Sequence, residues 1–155
     1  MEDSILQTTP DCEIVCTRDL NFNRELIFKA WSEPEHLKIW WGPAGFTNTF
    51  NLFEFKEGGK WNFVMHGPEK GNYVNECEFI RIIHPSLIAW KRYSPPLFQV
   101  LVTFDILEEN KTKVVFKQLF TSASECAKIK RFVEDKNEEN FDRLEILLNS
   151  ISQNQ

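Results

Sequence analysis

The sequence predicts an α+β domain: one strand, two short helices, a six-stranded antiparallel meander, and one long amphipathic C-terminal helix on the concave face of the sheet. Three observations predict it. Between Gly45 and Phe120 apolar residues recur with a period of two, and the punctuation between runs is short. That pattern suits a meander of hairpins better than parallel crossovers. From Ser122 to about Ile151 the period becomes that of an amphipathic helix. Ahead of the meander, one alternating segment is followed by two short helical patterns that meet at Ser32.

Taken in order, residues 1–11 read as a loose, flexible tail. Their polar character, with Glu2 and Asp3, excludes a signal peptide. In 13–20, Ile14, Cys16 and Leu20 oppose Glu13, Thr17 and Asp19, as in a strand. Asn21 to Asn23 offer capping side chains to a helix bearing Leu26, Ile27, Ala30 and Trp31. Ser32-Glu33-Pro34-Glu35 predicts a capping box with proline in the first turn, opening a second short helix through Leu37 to Trp40. Gly42-Pro43 ends it. Strands are expected over 46–55, 60–66, 72–83, 87–93, 97–107 and 112–120. Ser122-Ala123-Ser124-Glu125 reads as another capping box. Beyond it Ile129, Val133, Phe141, Leu144, Leu148 and Ile151 recur at steps of three and four, with Glu139 and Arg143 expected to pair on the solvated side. One domain over 12–151 accounts for the pattern, and 152–155 read as a tail.

Composition narrows the function. A formal net charge of -5, with dispersed Lys and Arg, argues against nucleic acid. No apolar run approaches the roughly 18 residues of a spanning helix, so no integral membrane association is expected and the cytoplasm is the expected location. Cys12, Cys16, Cys77 and Cys126 lack metal-ligand spacing and read as free thiols; no metal and no cofactor are expected. No nucleophile elbow, Walker loop, Rossmann glycine set or metal-binding histidine pair occurs. His36, His66 and His84 lie on different elements, so no catalytic residue is assigned. Phe 14, Trp 5 and Tyr 2 supply enough flat side chains for either a packed core or a cavity wall, and composition does not choose between them.

The order of certain segments is more specific. Arg24-Glu25-Leu26, Ala30-Trp31, Glu33-Pro34-Glu35-His36-Leu37, Trp40-Trp41-Gly42-Pro43 and Gly45-Phe46 open the pattern. Gly58-Gly59-Lys60-Trp61 with Phe63 and Met65, Gly67-Pro68, Phe79-Ile80 before His84-Pro85, Leu87 before Trp90, and Phe141-Asp142-Arg143-Leu144 continue it. This ordered set, over about 13–148, resembles the bacterial proteins related to the C-terminal domain of the activator of the heat-shock protein 90 ATPase. They belong to the START-like, or SRPBCC, superfamily. The resemblance implies the helix-grip fold, also that of the birch-pollen allergens: a curved, seven-stranded antiparallel sheet around the last helix, with a hydrophobic cavity between them.

The resemblance implies no reaction. Its superfamily includes lipid carriers, hormone binders, polyketide cyclases and co-chaperone domains, so binding of a small hydrophobic or amphipathic ligand is the expected function. A co-chaperone-like protein-interaction domain is one alternative, weakened because this chain leaves no room for the activator's separate N-terminal domain. A cyclase- or hydrolase-like enzyme acting in the cavity is another.

Alternation assigns the expected wall. Trp61, Phe63 and Met65 share one face of their strand, as do Tyr73, Asn75, Cys77 and Phe79 on the next. Val100, Val102 and Phe104 share another, and so do Val114, Phe116 and Gln118. Trp40, Trp41, Phe46 and Trp90 join the expected cavity from the resembled segments, and Val133, Asn137, Asn140, Phe141 and Leu144 from the last helix. The resembled pattern commonly carries Gly-Trp where this chain has Lys136 and Asn137. An asparagine there would widen the pocket and give it a hydrogen-bonding handle; the alternative is that Asn137 and Asn140 are solvated. Arg81 is weighed as an inward anion anchor against an exposed strand-end arginine.

Overall fold

A computed structural model describes residues 4–153. After a 3-10 turn at Pro10–Cys12 come β1 (Glu13–Leu20), α1 (Arg24–Ser32) and α2 (Pro34–Trp40). The meander follows as β2 (Thr47–Phe53), β3 (Lys60–His66), β4 (Asn72–Ile83), β5 (Leu87–Arg92), β6 (Gln99–Glu108) and β7 (Lys111–Leu119). Helix α3 (Ala123–Gln153) closes the chain. All pairings are antiparallel, in the order β1-β7-β6-β5-β4-β3-β2, so β1 caps the free edge of the meander beside β7. This is the helix-grip architecture that the sequence predicts.

Local chemistry explains most boundaries. Asn23 accepts from the Leu26 N–H at 2.9 Å and caps α1. Ser122 Oγ accepts from the Glu125 N–H at 3.3 Å at the start of α3. The capping box expected at Ser32 does not form. Ser32 is still inside α1 and its hydroxyl donates to the Lys29 carbonyl, so Glu33 precedes α2 without a side-chain cap. Pro34 at the first turn has no N–H to satisfy. The two short helices are joined by the Trp40 indole, which donates to the Ala30 carbonyl at 2.9 Å in the core.

Register shifts interrupt the alternation at Phe50/Leu52, Phe79/Arg81 and Ile106/Glu108. The one in β4 changes phase: Asn75, Cys77 and Phe79 are buried before it, and Ile82 packs on the core after it. Arg81 is left exposed on the outer side. Residues 4–9, expected within a flexible tail, touch β6: the Leu6 N–H donates to Gln99 Oε1 at 2.8 Å and Gln99 Nε2 donates to the Ser4 carbonyl. Residues 10 and 11 lie in the 3-10 turn and Ser152 in the last turn of α3, which runs to Gln153, while 1–3 and 154–155, the remainder of the expected tails, lie outside the described residues.

Helix α3 has 31 residues, about 46 Å at 1.5 Å each, and its two halves pack differently. Phe141, Leu144, Leu147 and Leu148 are buried against α1, α2 and the sheet. The segment from Ile129 to Asn140 is only half-buried. The core therefore fills one end of the concave sheet and thins toward the other.

An ion-pair cluster fixes the helix to β1. Arg18 reaches Glu138 and Asp142 at 2.7 Å and Glu145 at 2.9 Å. Burial opposes the guanidinium charge, but its bonds to Asp142, Glu138 and Glu145 outweigh this and hold it above its ordinary value. Arg18 and then Cys16 hold the Glu138 carboxyl below its usual range. A depressed carboxyl stabilises the fold above its unfolded pKa and loses that contribution as pH falls through the folded value. Arg18→Ala should cost about 1–2 kcal/mol near neutral pH and flatten the acid limb below about pH 4.5. Urea midpoints across pH measure both.

Candidate functional site

Beneath the half-buried part of α3 lies a cavity of about 180 Å³. Its floor is the concave sheet: Phe63 and Met65 from β3, Asn75 and Cys77 from β4, Trp90 from β5, Phe116 and Gln118 from β7. Its roof is Val133, Asn137 and Asn140 of α3, and Trp41 forms one end. These predicted residues do come together. Trp41 packs on the aromatic wall, with ring centroids 5.4 Å from Trp61, 5.7 Å from Trp90 and 6.2 Å from Phe116.

Other predicted residues lie elsewhere. Trp61, Phe79, Val102, Phe104 and Leu144 are buried in solid core. Neighbouring rings occupy the space they would have opened onto: Phe55 lies 5.1 Å from Phe79, Phe53 5.9 Å from Trp61, and Trp31 6.0 Å from Phe104. Trp40 and Phe141 border a separate hollow of about 10 Å³ shared with Trp31, Phe116, Asn137 and Asn140. That is room for about one water molecule. The buried Trp31 indole N–H at its edge has no hydrogen-bond partner among the described residues. Tyr73 and Phe46 are outside the cavity. Tyr73 is 54% exposed and its ring lies 6.0 Å from that of Phe46, at a strand end that α3 does not cover.

The two asparagines are engaged rather than solvated. Asn137 Nδ2 donates to Gln118 Oε1 at 3.0 Å, bridging helix and sheet. Asn140 Oδ1 accepts from the Gly42 N–H at 3.0 Å. The expected Glu139–Arg143 surface pair is corrected. Arg143 turns to the α2 end and donates to the carbonyls of Ile39, Trp41, Gly42 and Pro43 at 2.6–3.2 Å. Glu139 accepts from the Ala44 N–H at 3.0 Å. Carbonyls left open where α2 ends are a stronger sink for a guanidinium than a solvated carboxylate one turn away. Gly42 takes φ +101°, so the Trp-Trp-Gly-Pro turn needs glycine there.

Sequence reasoning missed Gly42, Pro43, Phe98, Lys136 and Arg92 as lining residues. Arg92 was findable: it continues the phase of Ile88 and Trp90 on β5, facing Cys77 across the ladder. Its guanidinium donates to Asn75 Oδ1, to the Pro96 carbonyl at 2.8 Å, to Ser94 Oγ at 3.1 Å and to the Pro95 carbonyl at 3.3 Å. Burial pulls it below its ordinary value.

The remaining chemistry is sparse. Burial pushes the Cys77 thiol up to about 12, so it is protonated at neutral pH and a poor nucleophile. Among the described residues, no histidine, aspartate or glutamate lines the cavity. The arrangement suits holding a molecule: apolar walls, a few fixed polar groups, and two cations in the lining.

A family model described as Activator of Hsp90 ATPase homolog 1-like protein matches residues 21–149. The chain belongs to this family. Solved structures agree on the fold. A protein from Nitrosomonas europaea superposes with a TM-score of 0.85 at 17% identity, covering 94% of this chain and 99% of its own. One from Arthrobacter aurescens gives 0.83 at 21%, covering 95% and 91%. One from Rhodobacter sphaeroides gives 0.82 at 18%, covering 95% and 98%. At these identities the likeness shows a shared START-like fold. No curated protein matches the chain. Among the described residues no helix is long and apolar enough to cross a membrane.

Proposed function

We propose that this chain binds a small apolar or amphipathic molecule in the cavity between α3 and the sheet. The observation that carries the reading is the uneven packing of that helix. One half seals a solid core, while the other spans a space walled by Trp41, Trp90, Phe63 and Phe116 and bridged by Asn137 and Gln118. A domain selected only for packing would fill such a space, because unfilled volume costs about 24 cal/mol per Å³.

Native mass spectrometry of the protein purified from its own host is the direct test. A mass increment that disappears on unfolding is expected. A protein that carries no increment, and whose calorimetric titration with indole and with one-ring aromatic probes shows no binding, would remove the reading. The family's name raises a chaperone partner as the competing function. Acceleration of a purified chaperone ATPase by a chain that binds no small molecule would favour it.

A further inference from the structure

The cavity has an electrical asymmetry that its apolar walls do not explain. Two cations line it, Arg92 and Lys136, and among the described residues no carboxylate does. Arg92 is built in rather than placed by chance. Four neutral oxygens, those of Asn75, Ser94, Pro95 and Pro96, hold its guanidinium, which fixes the geometry without neutralising the charge. Nη1 keeps one N–H beyond its bond to Asn75, and the contact from Nη2 to Pro95 is long enough at 3.3 Å to be exchanged. Asn75 is itself oriented, its Nδ2 donating to the Tyr73 carbonyl at 2.9 Å.

Further features point the same way. Gln118 is buried, and its Oε1 is taken by Asn137, which leaves its NH₂ end as a second donor on the cavity floor. Lys136 is the exposed member of the lining, so the mouth lies beside it and an entering anion meets positive charge first. Size sets the rest. An apolar cavity of about 150 Å³ accommodates benzene, so 180 Å³ suits one ring with a short polar arm.

We propose that the cavity takes a small aromatic monocarboxylate, its carboxylate on Arg92 and its ring among Trp41, Trp90 and Phe116. This rests on the binding function proposed above and specifies its ligand class. A carboxylate matches the planar guanidinium and brings one charge for one charge. A phosphate dianion would leave excess charge against apolar walls.

The test compares 3-phenylpropionate with 3-phenylpropionamide, which is nearly the same shape but neutral, by calorimetry and tryptophan emission at neutral pH. The wild-type protein should bind the acid at least about tenfold more tightly. Arg92→Gln should abolish that preference, the acid losing at least about tenfold more affinity than the amide, and Lys136→Gln should slow association and leave most of the preference. Equal wild-type affinities for acid and amide would overturn the carboxylate proposal and leave the cavity reading intact. So would a preference that survives Arg92→Gln or vanishes only in Lys136→Gln. If neither probe nor indole binds, the cavity reading itself fails. Should Arg92→Gln not fold by circular dichroism, Arg92→Met, which keeps much of the length and drops the charge, serves instead, and the acid–amide ratio of the wild type still decides.

Discussion

Gly59→Ala is expected to destabilise the fold by about 3–4 kcal/mol, the largest loss we anticipate from a single methyl group in this protein. Gly59 is buried in the hairpin loop between β2 and β3. A Cβ there would stand 2.1 Å from the Glu54 carbonyl oxygen and 2.9 Å from that of Lys56. Both obstacles are backbone, so no rotamer change relieves them. The loop cannot retreat either. Gly59 N–H donates to the Lys56 carbonyl, its own carbonyl accepts from Phe79 N–H, and Gly58 N–H donates to the Phe79 carbonyl, all at 2.8–2.9 Å. Moving the loop would break its attachment to β4 and pull Phe55 from the ring of Phe79.

Gly58→Ala is the control. Gly58 takes φ +82° with nothing within 4 Å of the added atom, so only the left-handed backbone penalty of about 1–2 kcal/mol applies. Urea midpoints for the two variants should therefore differ clearly. Equal losses would show that backbone conformation, and not the close approach to Glu54, dictates the Gly-Gly-Lys-Trp segment.

Asn137→Trp is expected to abolish binding of one-ring probes while the fold persists. Asn137 lines both the main cavity and the small hollow behind it, so an indole there would occupy much of the 180 Å³. Stability should stay within about 2 kcal/mol of wild type. Filling the space recovers packing, while breaking the Asn137–Gln118 bond leaves the buried Gln118 amide without its partner. Calorimetric titration with 3-phenylpropionamide, together with the urea midpoint, separates these effects. Undiminished probe binding in a folded Asn137→Trp protein would place the binding site elsewhere.

Alternation read the faces of the central strands from sequence. Trp61, Phe63, Asn75, Cys77, Val100, Val102, Phe104, Val114, Phe116 and Gln118 are all buried on the concave side. What period two does not carry is where that side is packed and where it is open. The division depends on α1 and α2, which drive Phe28 and Trp31 against Phe104. Those contacts join residues more than 70 positions apart, beyond any local pattern. Arg92 was lost for another reason: it lies within the strand expected over 87–93 and in phase with Trp90, but a charged side chain is ordinarily assigned to the solvated face. Arg143 shows the limit of neighbour rules. Spacing matched it with Glu139, while its strongest partners, the carbonyls after α2, sit about 100 residues upstream.

That long reach orders events during synthesis. The rim of the cavity runs from Trp41 to Ala44, and the side chains that grip it, Glu139, Asn140 and Arg143, belong to α3, which is made about 100 residues later. Until α3 emerges, the nascent chain presents a bare aromatic trough around Trp31, Trp41 and Phe116, the kind of surface on which partly made proteins stick to one another. The cavity cannot exist before α3 is made, so any molecule bound there is acquired at or after the moment that helix docks.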